Sequence, residues 1–155
     1  MGAALKRLAS KAQSEAELRD WLERRHRAKA QTVDECVNRL REMGLIEDRR
    51  FAEAFARSRL SVKPVGRARL AQQLAARKVG RDSVNAALDA VFESEREAEL
   101  IDLAIRRHAR LHGRPRDRRA VKRLFDHLAR RGFDFELIRS KLRSLSSSTR
   151  EDDEF

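Results

Sequence analysis

Apolar residues recur through most of this chain at spacings of three and four, with charged residues between them. That spacing puts them on one face of a 3.6-residue helix, and the alternation of a half-buried strand is nearly absent. The pattern predicts an all-α protein. Punctuation along the chain agrees with it. Ser14 with Glu17, and Thr32 with Glu35, have the spacing of a capping box, and Gly44 stands where a helix ending near Met43 would turn. Pro64 and Pro115 mark breaks between longer helical stretches.

The apolar pattern also repeats on a longer scale. Leu70, Leu74, Val79, Val84, Leu88 and Val91 shifted by 54 positions fall on Leu124, Leu128, Phe133, Ile138, Leu142 and Leu145. Leu18, Leu22, Val33, Val37 and Leu40 match Leu70, Leu74, Val84, Leu88 and Val91 with one residue inserted in the turn. Each pair of short helices follows a longer one, about Ala3 to Gln13, Asp48 to Leu60 and Glu95 to Leu111. The chain thus reads as three tandem three-helix repeats: 1–46, 47–93 and 94–145, with a disordered acidic tail over 146–155. A lone unit of about 45 residues is near the lower limit for independent stability. Repeats of this size are expected to pack end to end into an elongated, curved chain.

Charge changes the picture from fold to function. The 155 residues hold 36 Lys and Arg against 25 Asp and Glu, a net charge of +11. Such an excess implies a polyanion, an acidic protein surface or an anionic membrane as partner, and it is concentrated in two places. From Ala54 to Arg81 there are Arg57, Arg59, Lys63, Arg67, Arg69, Arg77, Lys78 and Arg81 without one acid. From Ile105 to Arg131 there are Arg106, Arg107, Arg110, Arg114, Arg116, Arg118, Arg119, Lys122, Arg123, Arg130 and Arg131 against Asp117 and Asp126. The clusters occupy corresponding places in repeats two and three. The helix expected over Asp82 to Phe92 carries Asp82 and Asp89 and no basic residue, unlike a helix that enters a major groove. Seven Phe, one Trp and no Tyr supply few stacking platforms for sequence-reading RNA modules.

Catalytic chemistry finds little support. His108 and His112 lie four apart on a predicted helix, a possible metal spacing, but Arg106, Arg107 and Arg110 would repel a cation there. His26 and His127 read as isolated boundary residues, and no phosphate-binding glycine loop, nucleophile elbow or carboxylate pair is present. No metal, cofactor or enzyme activity is expected. Cys36 is the one cysteine and reads as a small apolar residue on a helix face, which excludes an internal disulfide. No run approaches the roughly 20 apolar residues of a membrane span, so the expectation is a soluble, cytoplasmic chain.

The stretch Leu45-Ile46-Glu47-Asp48-Arg49-Arg50-Phe51-Ala52-Glu53-Ala54-Phe55-Ala56-Arg57-Ser58-Arg59, then Gly66 and the helix Arg67 to Leu74, resembles the signature of the RecX family. Leu128-Ala129-Arg130-Arg131-Gly132-Phe133-Asp134-Phe135-Glu136-Leu137-Ile138 is similar to that family's C-terminal repeat. Lys78-Val79 departs from the Lys-Gly pair often found there, and the first turn, His26 to Thr32, is longer and more basic. The resemblance implies tandem three-helix repeats and a monomeric regulator that lodges in the RecA–DNA filament, slowing ATP hydrolysis and strand exchange. DNA, single-stranded or duplex, would be a secondary, non-specific contact. On this reading Asp48, Phe51, Phe55, Gly66, Leu70 and Leu74 are mostly structural, with Phe51 and Phe55 joining repeats one and two. The basic clusters would meet RecA or DNA. The alternative is a non-specific nucleic-acid-binding architectural module without a protein partner. The acidic end, Glu151 to Phe155, could fold back on a basic cluster and compete with either partner.

Overall fold

The computed structural model describes the backbone over residues 1–151, and side chains over the same range except 94, 95 and 147–151. Nine helices and no strand occur among the described residues: α1 (Gly2–Ser10), α2 (Glu15–His26), α3 (Ala30–Glu42), α4 (Asp48–Val62), α5 (Arg67–Ala76), α6 (Arg81–Val91), α7 (Ser94–His112), α8 (Arg118–Arg130) and α9 (Phe135–Glu151). The order long, short, short repeats three times. Of the repeated apolar positions, only Leu145 stays exposed, and the other sixteen are buried.

Local signals explain most of the boundaries. Ser14 and Glu17 form a complete capping box at the start of α2. Beyond α3, the Gly44 N–H bonds to the Arg41 carbonyl and the Leu45 N–H to the Leu40 carbonyl, a Schellman closure. Thr32 and Glu35 do not form the expected box. The N-cap of α3 is Lys29, so Thr32 lies inside the helix, where the same spacing is simply one turn. α6 starts at Arg81, one residue earlier than expected. α9 continues through Ser146–Glu151, part of the expected tail, and the Ser146 hydroxyl donates to the Leu142 carbonyl of its own helix at 2.9 Å. The rest of that tail, 152–155, lies outside the described residues.

The chain forms two compact units whose limits differ from those of the repeats: 1–57 with 71–91, and 58–70 with 92–155. Unit 1 contains a core of Ala4, Leu18, Leu22, Val33, Cys36, Val37, Leu40 and Ile46, against which Leu8, Trp21 and Ala28 pack. Unit 2 buries Leu100, Ile101, Ala104, Leu124, Leu128, Phe133 and Ile138. The middle repeat contributes to both, because α4 and α5 each cross a unit limit.

Each unit contains one joint between successive repeats, and the two joints are equivalent. In unit 1 the start of α2 meets the end of α5. The Ser14 hydroxyl donates to the Arg77 carbonyl at 2.6 Å, the Glu15 N–H donates to Asp48 Oδ1 at 2.8 Å, and Arg77 Nη2 reaches the Ala12 carbonyl at 3.2 Å. In unit 2 the start of α5 meets the end of α8. The Gly66 N–H donates to the Arg131 carbonyl at 2.8 Å, the Arg67 N–H to the Glu97 carboxylate, and Arg131 Nη1 to the Pro64 carbonyl at 3.1 Å. Free N–H groups of one helix start are thus satisfied by a carboxylate and by carbonyls of another helix end. Burial comes first among the influences on Asp48 and Glu97, and both carboxyls are raised above their ordinary values.

Candidate functional site

The first basic cluster is divided between the units. Arg77 and Lys78 belong to unit 1 and face acids of α2. Arg77 donates to both oxygens of Glu17, at 2.6 and 3.0 Å, and its guanidinium lies 4.9 Å from the centre of the Phe51 ring and 5.6 Å from that of Phe55. Lys78 pairs with Asp20, and Arg57 lies 3.9 Å from Glu53. Arg77 is thereby a structural residue of the first joint, and Arg131 occupies the matching place in the second.

Arg59, Lys63, Arg67 and Arg69 belong to unit 2, along with the whole second cluster. Two backbone contacts bring these sequence-distant groups together. Arg107 Nη1 donates to the Val62 carbonyl at 3.2 Å, and Arg131 reaches Pro64, so the segment carrying Lys63 lies against α7 and α8. Both acids of the second cluster are already engaged. Asp117 caps α8 by accepting the Ala120 N–H at 2.7 Å, and Asp126 pairs with Lys122 at 3.3 Å. Arg106, Arg110, Arg114, Arg116, Arg118, Arg119, Arg123 and Arg130 are exposed and meet no carboxylate among the described residues.

His108, His112 and His127 gather among these cations. His127, expected to be isolated, lies beside His108 with ring centroids 5.0 Å apart, and His108 lies 4.5 Å from His112. His26 instead meets Trp21 edge-on at 4.7 Å. Burial, then the charges of His112 and Arg123, hold His108 below its ordinary pKa. Burial, then Arg131, His108 and Arg130, do the same for His127. The sequence pattern hid this trio because His127 arrives from α8, and no described group of three or more His, Cys, Asp or Glu has metal-holding geometry.

Two further cations were missed by counting charge density, which falls after Arg131. Arg139 and Arg143 stand on α9 beside a hollow of about 540 Å³, together with Arg118, Val121, Lys122, Phe125, Leu142 and Ser146. Asp48 caps α2, Phe51 and Phe55 lie under Arg77, Leu70 and Leu74 are fully buried, and Gly66 makes the second joint.

Comparison with known proteins agrees with this architecture. Residues 48–88 match the model of the RecX second three-helix domain, and residues 94–142 match that of the third. The Regulatory protein RecX of Thermobifida fusca is 34% identical over 142 residues, covering 89% of this chain and 76% of the relative. The protein of the same name from Chlorobium phaeobacteroides is 33% identical over 139 residues, covering 90% and 88%. The crystal structure of RecX from Lactobacillus salivarius superposes with a TM-score of 0.84 at 19% identity, covering 94% of this chain and 93% of that one.

Proposed function

The chain belongs to the RecX family of regulatory proteins, and on that premise we propose that it binds the RecA–DNA filament and restrains its ATPase and strand exchange without catalysing a reaction itself. The observation that supports this reading is the cationic surface of unit 2. Eight exposed arginines there lack a carboxylate partner among the described residues, while the acids of the same stretch are spent on a helix cap and one local pair. Arg offers a planar fork of donors, suited to carboxylates on a protein surface and to phosphates. Six of the eight stand on helices α7 and α8, which present these forks without the ordering cost of a loop, and Arg114 and Arg116 stand on the connection between them.

The same charge also suits a module that coats nucleic acid without a protein partner. Salt separates the two readings. Binding to free single-stranded DNA should weaken with a slope of about −0.7 per phosphate neutralised in log K against log salt. The proposal expects binding to RecA–DNA filaments to persist at salt that abolishes binding to naked DNA. Equal salt sensitivity of the two would favour the architectural module.

A further inference from the structure

The hollow on α8 and α9 has a regular construction. α8 contributes Arg118, Val121, Lys122 and Phe125, and α9 contributes Arg139, Leu142, Arg143 and Ser146. Each set has the spacing i, i+3, i+4, i+7, so each is one continuous stripe along a helix. Val121 and Leu142 occupy the second place of the two stripes, with Phe125 at the end of the first, and they supply an apolar floor. Cations form the rim. Lys122 is partly neutralised by Asp126 and Arg139 by Glu136, while Arg118 and Arg143 meet no acid among the described residues. A smaller hollow of about 220 Å³ shares Val121, Leu142 and Ser146 and adds Arg106 and Arg114 to the rim. Stripes of this spacing run for about 10 Å, two turns of a helix.

We propose that this groove is a docking site for an acidic amphipathic helical segment of a partner protein. Its apolar side chains, spaced i, i+3, i+7, would lie on Val121, Phe125 and Leu142, and its carboxylates would meet Arg118, Arg143 and Arg114. The rim sets the sign of the partner's charge. The floor favours a peptide over nucleic acid, because it is concave and its one aromatic ring, Phe125, already lies against Phe135 with ring centroids 6.0 Å apart, whereas unpaired bases need open aromatic faces to stack on. The proposal deepens the filament-binding reading by naming the chemistry of a protein contact, but its test does not require RecA.

The full chain would be titrated against a fluorescent 14-residue probe of Glu residues with Leu at i, i+3, i+4 and i+7. A control peptide would carry Ser in place of Leu, and a dT oligomer of equal charge would serve as competitor. The probe should bind about tenfold more tightly than the control, and Arg118→Glu with Arg143→Glu should weaken it by about tenfold. Both sites are exposed, and an acid in the first turn of α8 suits the helix dipole, so the variant should keep its circular dichroism spectrum. Val121→Ser should weaken the probe without weakening the control. Equal binding of probe and control would overturn the proposal, as would a double variant that binds like the original. Displacement of the probe by the dT oligomer, itself sensitive to Val121→Ser, would assign the groove to nucleic acid instead. Failure of the unaltered chain to bind the probe, with its inhibition of RecA intact, would refute the groove alone.

Discussion

The joint in unit 1 and the joint in unit 2 bring together corresponding helix ends, yet different chemistry closes them. In unit 1 the contact is made by side chains: the Ser14 hydroxyl, the Glu17–Arg77 pair, the Lys78–Asp20 pair and the guanidinium over two phenylalanines. In unit 2 direct backbone-to-backbone bonds join the Glu97 and Arg131 side-chain contacts. Gly66 and Ala68 donate directly to the carbonyls of Arg131 and Gly132, at 2.8 and 3.2 Å. Gly132 has φ of 83°, and a Cβ there would collide with the Arg69 backbone, while a Cβ on Gly66 would collide with the Gly132 carbonyl. The first joint can be loosened by titration and salt. The second is fixed by steric fit, in the unit where uncompensated charge is densest.

The largest effect should come from breaking that fit. Gly132→Ala combines a left-handed backbone with a clash and should cost about 3 kcal/mol or more in urea unfolding. Ser14→Ala, at the position in unit 1 that corresponds to Gly66, should cost only about 1 kcal/mol. Similar losses for the two variants would contradict the proposed difference. Next, Arg77→Ala removes a two-pronged ion pair and a ring contact from a half-buried site and should cost about 2 kcal/mol. Arg131→Ala keeps the backbone contacts of its joint and should cost about half as much by the same assay.

A smaller, stabilising change tests the register of the repeats. Lys78 holds φ of 58° at the place where the third repeat has Gly132. The Val79 N–H reaches the Leu74 carbonyl there, as the Phe133 N–H reaches that of Leu128. Lys78→Gly should therefore raise stability by up to about 1 kcal/mol, seen as a higher melting temperature. A lower one would show that the pair with Asp20 outweighs backbone strain.

Acid should affect the units in sequence. His108 and His127 have depressed pKa values, so folding disfavours their charged forms. The stability they contribute is present above about pH 6.5 and is lost as pH falls through their folded values. For Glu17, burial raises the carboxyl, but the Arg77 and Ser14 hydrogen bonds outweigh it, and the net shift is downward. Its contribution persists until pH falls below the ordinary carboxyl range of about 4.3. The raised carboxyls of Asp48 and Glu97 act in the opposite sense, one in each joint. Hydrogen exchange between pH 7 and 4 should show α7 and α8 losing protection before α2. Simultaneous loss would remove the distinction.

Much of the fold was legible because it depends on local periodicity. The apolar positions aligned across repeats are buried in all but one case, Leu145, and the long helices begin and end within three residues of expectation. The capping box at Thr32 misled because serine or threonine followed by glutamate at that spacing also occurs within a helix. The site was harder to read. Charge density locates arginines along the chain but cannot tell Arg77, bound to Glu17 from sixty positions away, from Arg118, which meets no acid among the described residues. Nor could it unite His127 with His108, or Arg143 with Arg118, since each pair meets only when α8 packs on a neighbouring helix.

The most direct test of the account is a titration of RecA ATP hydrolysis on single-stranded DNA with this chain and with a variant carrying Arg106→Ala, Arg110→Ala, Arg119→Ala and Arg123→Ala. The account predicts inhibition at substoichiometric amounts of the unaltered chain, and loss of that inhibition in the variant while its helical content and melting temperature are retained. Undiminished ATP hydrolysis at equimolar amounts of the unaltered chain, alongside tight binding to naked DNA, would contradict it.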